Sequence, residues 1–121
     1  MCEVGLTLAE IRGLYRNVKA YSKTKRVPVS MANFPAKGYL VQEPYGVTLV
    51  MSPWNYPFML AMEPLAGAIA AGNCCVVKPS AYAPATSAVI AAIVKECFPE
   101  GYVAVIEGGR QGNQELLEQR F

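Results

Sequence analysis

Apolar and polar positions in the second half of the chain follow two alternating patterns. Short continuous apolar runs, typical of buried strands, are separated by longer segments in which apolar residues recur at helical spacing. The three predicted strands cover residues 47–51, 74–78 and 102–106. Because strands and helices alternate, we predict an α/β fold with a parallel βαβαβ half sheet and right-handed crossovers.

Proline, glycine and asparagine positions set the expected bounds of the helices. Pro64 is expected to separate an opening turn from a helix that closes at Gly72. Pro84 suits the first position of the next helix, whose apolar stripe ends before Pro99. Asn113 is predicted to cap a short last helix.

The first part of the chain has a different character. Residues 7–10 fit a capping box and precede apolar residues at helical spacing, which predicts a helix over residues 8–22. Prolines break any helical pattern over residues 28–35, and residues 37–43 are predicted to be extended. The chain is therefore divided into an N-terminal helix with an extended connecting arm, residues 1–45, and a sheet-forming domain, residues 46–121.

Composition narrows the possible functions. Hydrophobic residues make up 53% of the 121 residues, enough for one modest core. Charged residues make up 17%, below the usual ~25%, so we expect part of the surface to be buried against other protein. The net charge of +2 and the single basic run at residues 19–26 give no support for nucleic-acid binding. The sequence shows no apolar stretch of transmembrane length and no signal peptide, so we expect a cytoplasmic protein.

Cysteine and histidine content excludes several kinds of site. The chain contains four cysteines and no histidine, and the cysteines lack paired metal-site spacing, so we predict no metal. Without histidine, catalytic Ser-His and Cys-His pairs are excluded within this chain. Cys74 and Cys75 point to opposite faces of a predicted strand, and we interpret them as small buried apolar residues rather than a redox pair.

Polar residues lie at the ends of two of the predicted strands. Asn55 lies in the turn after the first strand, and Lys78 ends the second. The carboxyl ends of parallel strands form one rim, and open α/β sheets bind ligands there. We therefore expect both residues to face a shared crevice.

Each candidate also has a structural interpretation. Lys78 either donates hydrogen bonds to the hydroxyls or phosphates of a nucleotide or leaves the sheet into water, and the residues alone favour neither. Asn55 either donates to a developing oxyanion or, as the pattern favours, caps the next helix with Pro57 near its first position. Trp54 either stacks on a ring system or, more commonly, packs in the core. The usual glycine-rich phosphate loops are missing, and Gly108-Gly109 is a weak signal.

Five short motifs occur in an order and spacing that are specific when taken together. They are Glu43-Pro-Tyr-Gly-Val, Ser52-Pro-Trp-Asn-Tyr-Pro, Gly67-Ala-Ile-Ala-Ala-Gly-Asn73, Val77-Lys-Pro-Ser80 and Glu107-Gly-Gly109. In these motifs the chain closely resembles the aldehyde dehydrogenase superfamily, and its class 3-like branch in particular. The resemblance runs from about Ile11 to Phe121. It implies a Rossmann-like sheet in which residues 46–121 are part of an NAD(P)-binding domain.

The resemblance implies oxidation of an aldehyde to a carboxylic acid with NAD or NADP, through a covalent intermediate on a catalytic cysteine, in a homo-oligomer. It makes Asn55 the catalytic residue whose amide stabilises the oxyanion, and it makes Lys78 the residue that binds the adenosine ribose. Further matches lie in the turn beside the nicotinamide and on the adenine side. The implied cofactor-binding residues are Ser52, Pro53, Trp54, Lys78, Ser80 and Gly109.

The same resemblance implies that the family's catalytic cysteine, general-base glutamate and glycine-rich turn lie beyond Phe121. We therefore expect an N-terminal fragment of such an enzyme that is inactive alone. The alternative is a truncated product that binds a nucleotide weakly or only associates with other subunits. Ala81 stands where many relatives have a glutamate that holds the ribose hydroxyls, so we expect NADP to be accepted at least comparably to NAD.

Overall fold

The computed structural model describes residues 2–121. Over this range the chain forms a long helix, an exposed two-stranded arm and a three-stranded sheet with its helices. None of the helices in residues 2–121 is both long enough and apolar enough to cross a membrane. In chain order the elements are α1 (Cys2–Tyr21), β1 (Lys25–Val27), a 3₁₀ turn (Met31–Asn33), β2 (Gly38–Leu40), β3 (Val47–Met51), α2 (Met59–Ala70), β4 (Cys74–Lys78), α3 (Pro84–Cys97), β5 (Val103–Val105) and α4 (Arg110–Leu117).

The parallel half sheet predicted from the pattern is confirmed. β4 lies between β3 and β5 and pairs in parallel with both, so that α2 and α3 form the two crossovers. The register places Met51 opposite Lys78, which makes the carboxyl ends of β3 and β4 level. β5 is one residue shorter at each end than predicted, although the N–H of Ile106 still donates to the carbonyl oxygen of Val77 at 2.9 Å.

The hydrophobic core lies between one face of the sheet and helices α2 and α3. The side chains of Cys75 and Val77, two positions apart on β4, both face the core and pack with Val103 of β5. Burial raises the pKa of the Cys75 thiol, as expected for an apolar structural cysteine, whereas Cys74 on the other face is half-buried. The helices contribute four buried apolar side chains: Ala61, Leu65, Ile90 and Val94.

Helix α1 differs from the predicted helix at its start. It begins at Cys2 rather than at residue 8. Thr7, predicted as the capping residue, lies inside the helix and is 2% exposed, and α1 packs along α2. The capping-box prediction is wrong because the helix continues through Thr7, whose side chain is buried by the packing between helices instead of capping a helix end.

The arm, predicted to be extended over residues 37–43, contains a short strand, β2, which pairs with the earlier strand β1. β1 and β2 form an antiparallel ribbon in which Lys25 lies opposite Leu40 and Val27 opposite Gly38. A Cβ atom at position 38 would approach Cγ2 of Val29 at 2.8 Å, which explains the glycine. The ribbon and its connection leave large apolar side chains exposed, among them Met31, Phe34 and Tyr39.

Three helix bounds agree with the local sequence signals. Pro84 is the first residue of α3, and α3 ends before Pro99. Gly72 closes α2 in a left-handed conformation, with φ +86°, and donates its N–H to the carbonyl oxygen of Ile69 at 2.9 Å. Proline fits the first position of a helix and cannot continue one, and glycine readily adopts the left-handed conformation that ends a helix. These preferences predicted the three bounds.

Two other helix signals gave wrong predictions. Pro64 does not separate a turn from the helix, because it lies inside α2. Ala61 and Leu65 on either side of it are buried in the core, so that tertiary packing outweighs the local destabilisation by proline. Asn113 does not cap α4, since α4 already begins at Arg110 and contains Asn113.

Candidate cofactor-binding cleft

The carboxyl ends of β3 and β4 remain hydrogen-bonded just beyond the strands. The N–H of Ser52 donates to the carbonyl oxygen of Lys78 at 3.1 Å, which extends the parallel pairing by one step. Neighbouring parallel strands end at the same edge of the sheet, so the loops after them start there as well. Ser52 and Lys78 therefore lie side by side at this edge.

A cleft of about 410 Å³ opens at the same edge. Four of the six residues expected to bind the cofactor, Ser52, Lys78, Ser80 and Gly109, line it together. A larger groove of about 500 Å³ between α1, α2 and α3 is lined by apolar side chains and offers little for polar chemistry. The complete lining of the polar cleft is Met51, Ser52, Lys78, Pro79, Ser80, Ala81, Tyr82, Gly109, Arg110 and Asn113.

Lys78 is buried beside the cleft. It is 3% exposed, and its Nζ donates to the carbonyl oxygen of Pro79 at 2.9 Å. Burial lowers the pKa of Lys78, and the carboxylate of Glu107 partly offsets this effect. The alternative in which Lys78 leaves the sheet into water is therefore wrong. An ammonium group with one protein acceptor keeps two N–H groups for a ligand.

Ser80 begins a hydrogen-bonded turn that leads from β4 into α3. Its carbonyl oxygen accepts from the N–H of Ala83 at 3.2 Å and from the hydroxyl of Ser87 at 2.8 Å. Its own Oγ accepts from the N–H of Tyr82 at 3.3 Å, which leaves the hydroxyl hydrogen for another acceptor. Ser87 is buried and was not predicted from the sequence. The available signal was a serine in the first turn of the helix that follows the Lys-Pro-Ser motif.

The first turn of α4 forms another wall of the cleft. Gly109 precedes α4 in an extended conformation, and Gly108 has a φ of +146°, which favours glycine. This turn places the exposed cation Arg110 at the cleft. Arg110 was not among the predicted residues, although a basic residue after a Gly-Gly turn was a readable signal. A helix N-terminus and a guanidinium both favour an anionic ligand.

The turn after β3 also holds the other three predicted site residues. Pro53, Trp54 and Asn55 do not line the cleft, and all three are exposed. The expectation that Asn55 and Lys78 face a shared crevice is therefore wrong for this cleft. Trp54 is 68% exposed, so the interpretation that it packs in the core is wrong. Tyr56 has a φ of +48°, a left-handed conformation that is uncommon for residues other than glycine.

Asn55 does not cap α2. The helix begins at Met59, and its N-cap residue Phe58 forms no side-chain cap hydrogen bond. The acceptor comes instead from α1, because the carboxylate of Glu3 accepts from the N–H groups of Phe58 and Met59 at 3.0 and 3.2 Å. The capping interpretation of Asn55 is therefore wrong.

Two buried polar atoms at the cleft have no hydrogen-bond partner among the residues that the structure describes: Oγ of Ser52 and Oδ1 of Asn113. Buried polar atoms in proteins are nearly always paired, so these atoms indicate a place for a polar ligand or for solvent. With Nζ of Lys78 and the hydroxyl of Ser80, the cleft offers the donors and acceptors that suit nucleotide hydroxyls and phosphates. The residues present therefore fit the hydroxyl and phosphate groups of a nucleotide, the part of a dinucleotide cofactor that such donors and acceptors can hold.

The parallel sheet places the chain in the class of α/β proteins, whose open sheets bind ligands at the edge where this cleft lies. Comparison with known proteins identifies its family. Residues 3–120 match the sequence model of the group described as "Aldehyde dehydrogenase family". The chain belongs to the aldehyde dehydrogenase family, which confirms the resemblance carried by the five motifs.

Curated relatives support the same assignment. The 4,4'-diaponeurosporen-aldehyde dehydrogenase of Staphylococcus aureus is 44% identical over 119 residues, and the aldehyde dehydrogenase family 3 member B1 of Homo sapiens is 38% identical over 119 residues. The alignments cover 98% of this chain and 26% and 25% of the relatives. The chain thus spans about a quarter of the length of these relatives, and the second of them confirms the class 3-like likeness.

Solved structures share the fold. The substrate-bound AldH of Staphylococcus aureus matches with a TM-score of 0.94 at 44% identity, over 97% of this chain and 26% of that one. The aldehyde dehydrogenase of Mycobacterium tuberculosis, complexed with NAD+, matches with a TM-score of 0.79 at 27% identity, over 93% of this chain and 23% of that one. These matches confirm the predicted α/β class with its N-terminal helix.

The substitution Lys78→Met should change how the stability of the chain depends on pH. Because the pKa of Lys78 in the folded chain is below its unfolded value of about 10.4, the unfolded state binds more protons between those two pKa values. The free energy of unfolding of the wild-type chain, minus that of the variant, should therefore rise with pH across this window. Methionine keeps the aliphatic stem and removes the titration.

Urea unfolding of both chains, from neutral pH to beyond the ordinary lysine pKa, measures this difference. Lys95→Met, which removes an exposed lysine from α3, is the matched control for the loss of one charge. A flat or falling difference for Lys78→Met would contradict the unfavourable burial of the ammonium group.

Proposed function

We propose that this chain supplies part of the cofactor site and the oxyanion donor of an NAD(P)-dependent aldehyde dehydrogenase that oxidises aldehydes to carboxylic acids. The observation that carries the proposal is the convergence of Ser52, Lys78 and Ser80 with the first turn of α4 at one cleft, in a chain of this family. The nicotinamide cofactor, when bound, accepts the hydride that leaves the substrate. The residues of this chain bind and orient the reacting groups.

In this proposal Lys78 and Ser80 hold the adenosine ribose. Nζ of Lys78 and the hydroxyl of Ser80 donate to the ribose oxygens, while Gly109 allows close approach of the adenine side to the backbone. Ser52, Pro53 and Trp54 border the nicotinamide end, where the unpaired Oγ of Ser52 is available as a donor or acceptor. The Mycobacterium tuberculosis relative is complexed with NAD+, which supports a nicotinamide cofactor for the whole protein.

Asn55 is the proposed oxyanion donor. Its side chain is exposed on the turn that leaves the cleft edge, three residues after Ser52, whose N–H is fixed on Lys78. An amide N–H held in place before the reaction stabilises the negative charge that forms on the carbonyl oxygen when a nucleophile adds to the aldehyde. The loss of the capping interpretation supports this role.

The arm is the proposed subunit contact. Met31, Phe34 and Tyr45 are 84%, 79% and 95% exposed, and large apolar side chains gain stability when another surface covers them. We therefore propose that the whole protein is a homo-oligomer. The location that we propose for it is the cytoplasm. Residues 1–45 contribute the helix and the connecting arm, and residues 46–121 contribute part of the NAD(P)-binding domain.

In the whole protein, Asn55→Ala should lower turnover by ~10²–10³-fold, because one preorganised oxyanion donor is lost. Steady-state kinetics with a simple aldehyde measure the effect, and binding of the cofactor should change little. Asn17→Ala removes an exposed amide from α1, outside the cleft and the proposed subunit contact, and serves as the control. Unchanged turnover in Asn55→Ala would show that Asn55 is not the oxyanion donor.

The whole protein should use NADP at least as well as NAD, and Ala81→Glu should shift its preference towards NAD. Ala81 is exposed at the cleft, near the cations Lys78 and Arg110, so nothing at this position repels a 2′-phosphate. A glutamate would accept hydrogen bonds from the ribose hydroxyls and repel the phosphate. Arg110→Ala should weaken the use of NADP more than that of NAD.

The ratio of kcat/KM for the two cofactors is the measurement for all three proteins. Ala92→Glu adds the same charge to the exposed face of α3 and should leave the ratio unchanged. A strong preference for NAD in the wild-type protein would contradict the proposal and would indicate that another group holds the ribose.

A further inference from the structure

The N-terminal end of α2 receives its hydrogen-bond acceptor from a residue that lies 55 positions earlier in the chain. Oε2 of Glu3 accepts from the N–H of Phe58 at 3.0 Å and from the N–H of Met59 at 3.2 Å. The first N–H groups of a helix have no acceptor within the helix, and a negative charge is favoured at that end. Glu3 therefore satisfies two of these groups and complements the helix dipole.

The position of Glu3 is itself fixed by the packing of α1. Thr7 lies one helical turn after Glu3, on the same side of α1, and is 2% exposed where α1 packs along α2. The Glu3 side chain is partly buried at its contact with Phe58. This contact is part of the packing between two helices rather than a chance approach of a surface side chain.

The turn that carries Asn55 is attached at both ends. At its start the N–H of Ser52 donates to the carbonyl oxygen of Lys78 in the sheet. At its end Phe58 is attached to Glu3, and the N–H of Leu60 donates to the carbonyl oxygen of Tyr56 at 3.0 Å. Between these points Tyr56 has a φ of +48°, a conformation that persists only when its surroundings hold it.

We infer that Glu3 is a positioning residue for Asn55: by holding the end of the turn on α1, it sets where the Asn55 amide points. This inference rests on the proposed role of Asn55 as oxyanion donor. It assigns to the N-terminal helix a part in the geometry of the reaction, although Glu3 does not line the cleft. Small displacements of a group near the reacting atoms have large kinetic effects.

The whole protein with Glu3→Ala should show a kcat lower by about ten- to 10²-fold, with a smaller change in KM for NAD(P), because Lys78, Ser80 and Gly109 lie outside the turn that Glu3 holds. Glu3→Gln should recover most of the loss, since its amide oxygen still accepts from Phe58 and Met59. Glu3→Asp, whose carboxylate is one methylene short, should resemble Glu3→Ala. Glu10→Ala, which removes an exposed carboxylate from the same helix, should be close to wild type.

A double-mutant cycle with Asn55→Ala separates positioning from general stability. In the Asn55→Ala background, Glu3→Ala should lower kcat by less than about twofold, since the group it positions is gone. If Glu3→Ala lowers kcat equally in both backgrounds, or if Glu3→Gln gives no recovery, the positioning role is contradicted while the role of Asn55 stands. If Asn55→Ala itself leaves kcat unchanged, the proposed function of Asn55 fails first, and with it the premise of the inference.

Discussion

The hydrogen bond from the N–H of Ser52 to the carbonyl oxygen of Lys78 fixes the geometry on which the cleft depends. It continues the parallel pairing of β3 and β4 past their last residues and makes the two strands leave the sheet at the same level. One strand then turns towards Asn55 and the other towards Ser80. A slip in this register would separate the two groups of residues, because each step along a strand also reverses the face of its side chains.

The second constraint is the burial of Lys78. An ammonium group is unfavourable in an apolar environment unless it is hydrogen-bonded, and here the carbonyl oxygen of Pro79 accepts from it. The carboxylate of Glu107 adds a smaller stabilisation of the charged form. A site that keeps a cation partly unsatisfied gains free energy when a ligand supplies oxygen acceptors. A buried lysine with a lowered pKa is a candidate functional residue, which agrees with the ribose contact proposed for Lys78.

The sequence predicted the features that depend on periodicity and on single-residue conformational preferences. The three parallel strands were predictable from their apolar runs, and the start of α3 and the end of α2 from Pro84 and Gly72. The start of α1 and the continuity of α2 through Pro64 were not predictable in this way, because packing between helices outweighs local preference there.

The residues of the candidate site divide in the same way, into those that strand periodicity predicts and those that depend on tertiary contacts. Asn55 and Lys78 were expected to face a shared crevice because they follow adjacent strands, whereas the structure brings Ser52 and Lys78 together at the cleft and leaves Asn55 outside its lining. Arg110 and Glu3 were not predicted, since the first depends on where α4 begins and the second on a contact across 55 residues. Core packing is the more common role of a tryptophan, and helix capping is a common role of an asparagine. In this structure, however, the Trp54 side chain is exposed and the Asn55 side chain does not cap α2.

The central claim is that this cleft binds the adenosine end of a nicotinamide cofactor, and a crystal structure of the whole protein with NADP bound tests it most directly. We expect Nζ of Lys78 and Oγ of Ser80 to lie within hydrogen-bond distance, about 2.7–3.2 Å, of the adenosine ribose or its 2′-phosphate, with Gly109 against the adenine side. A ribose bound elsewhere, with Lys78 still donating to Pro79 and making no contact with the cofactor, would contradict this claim.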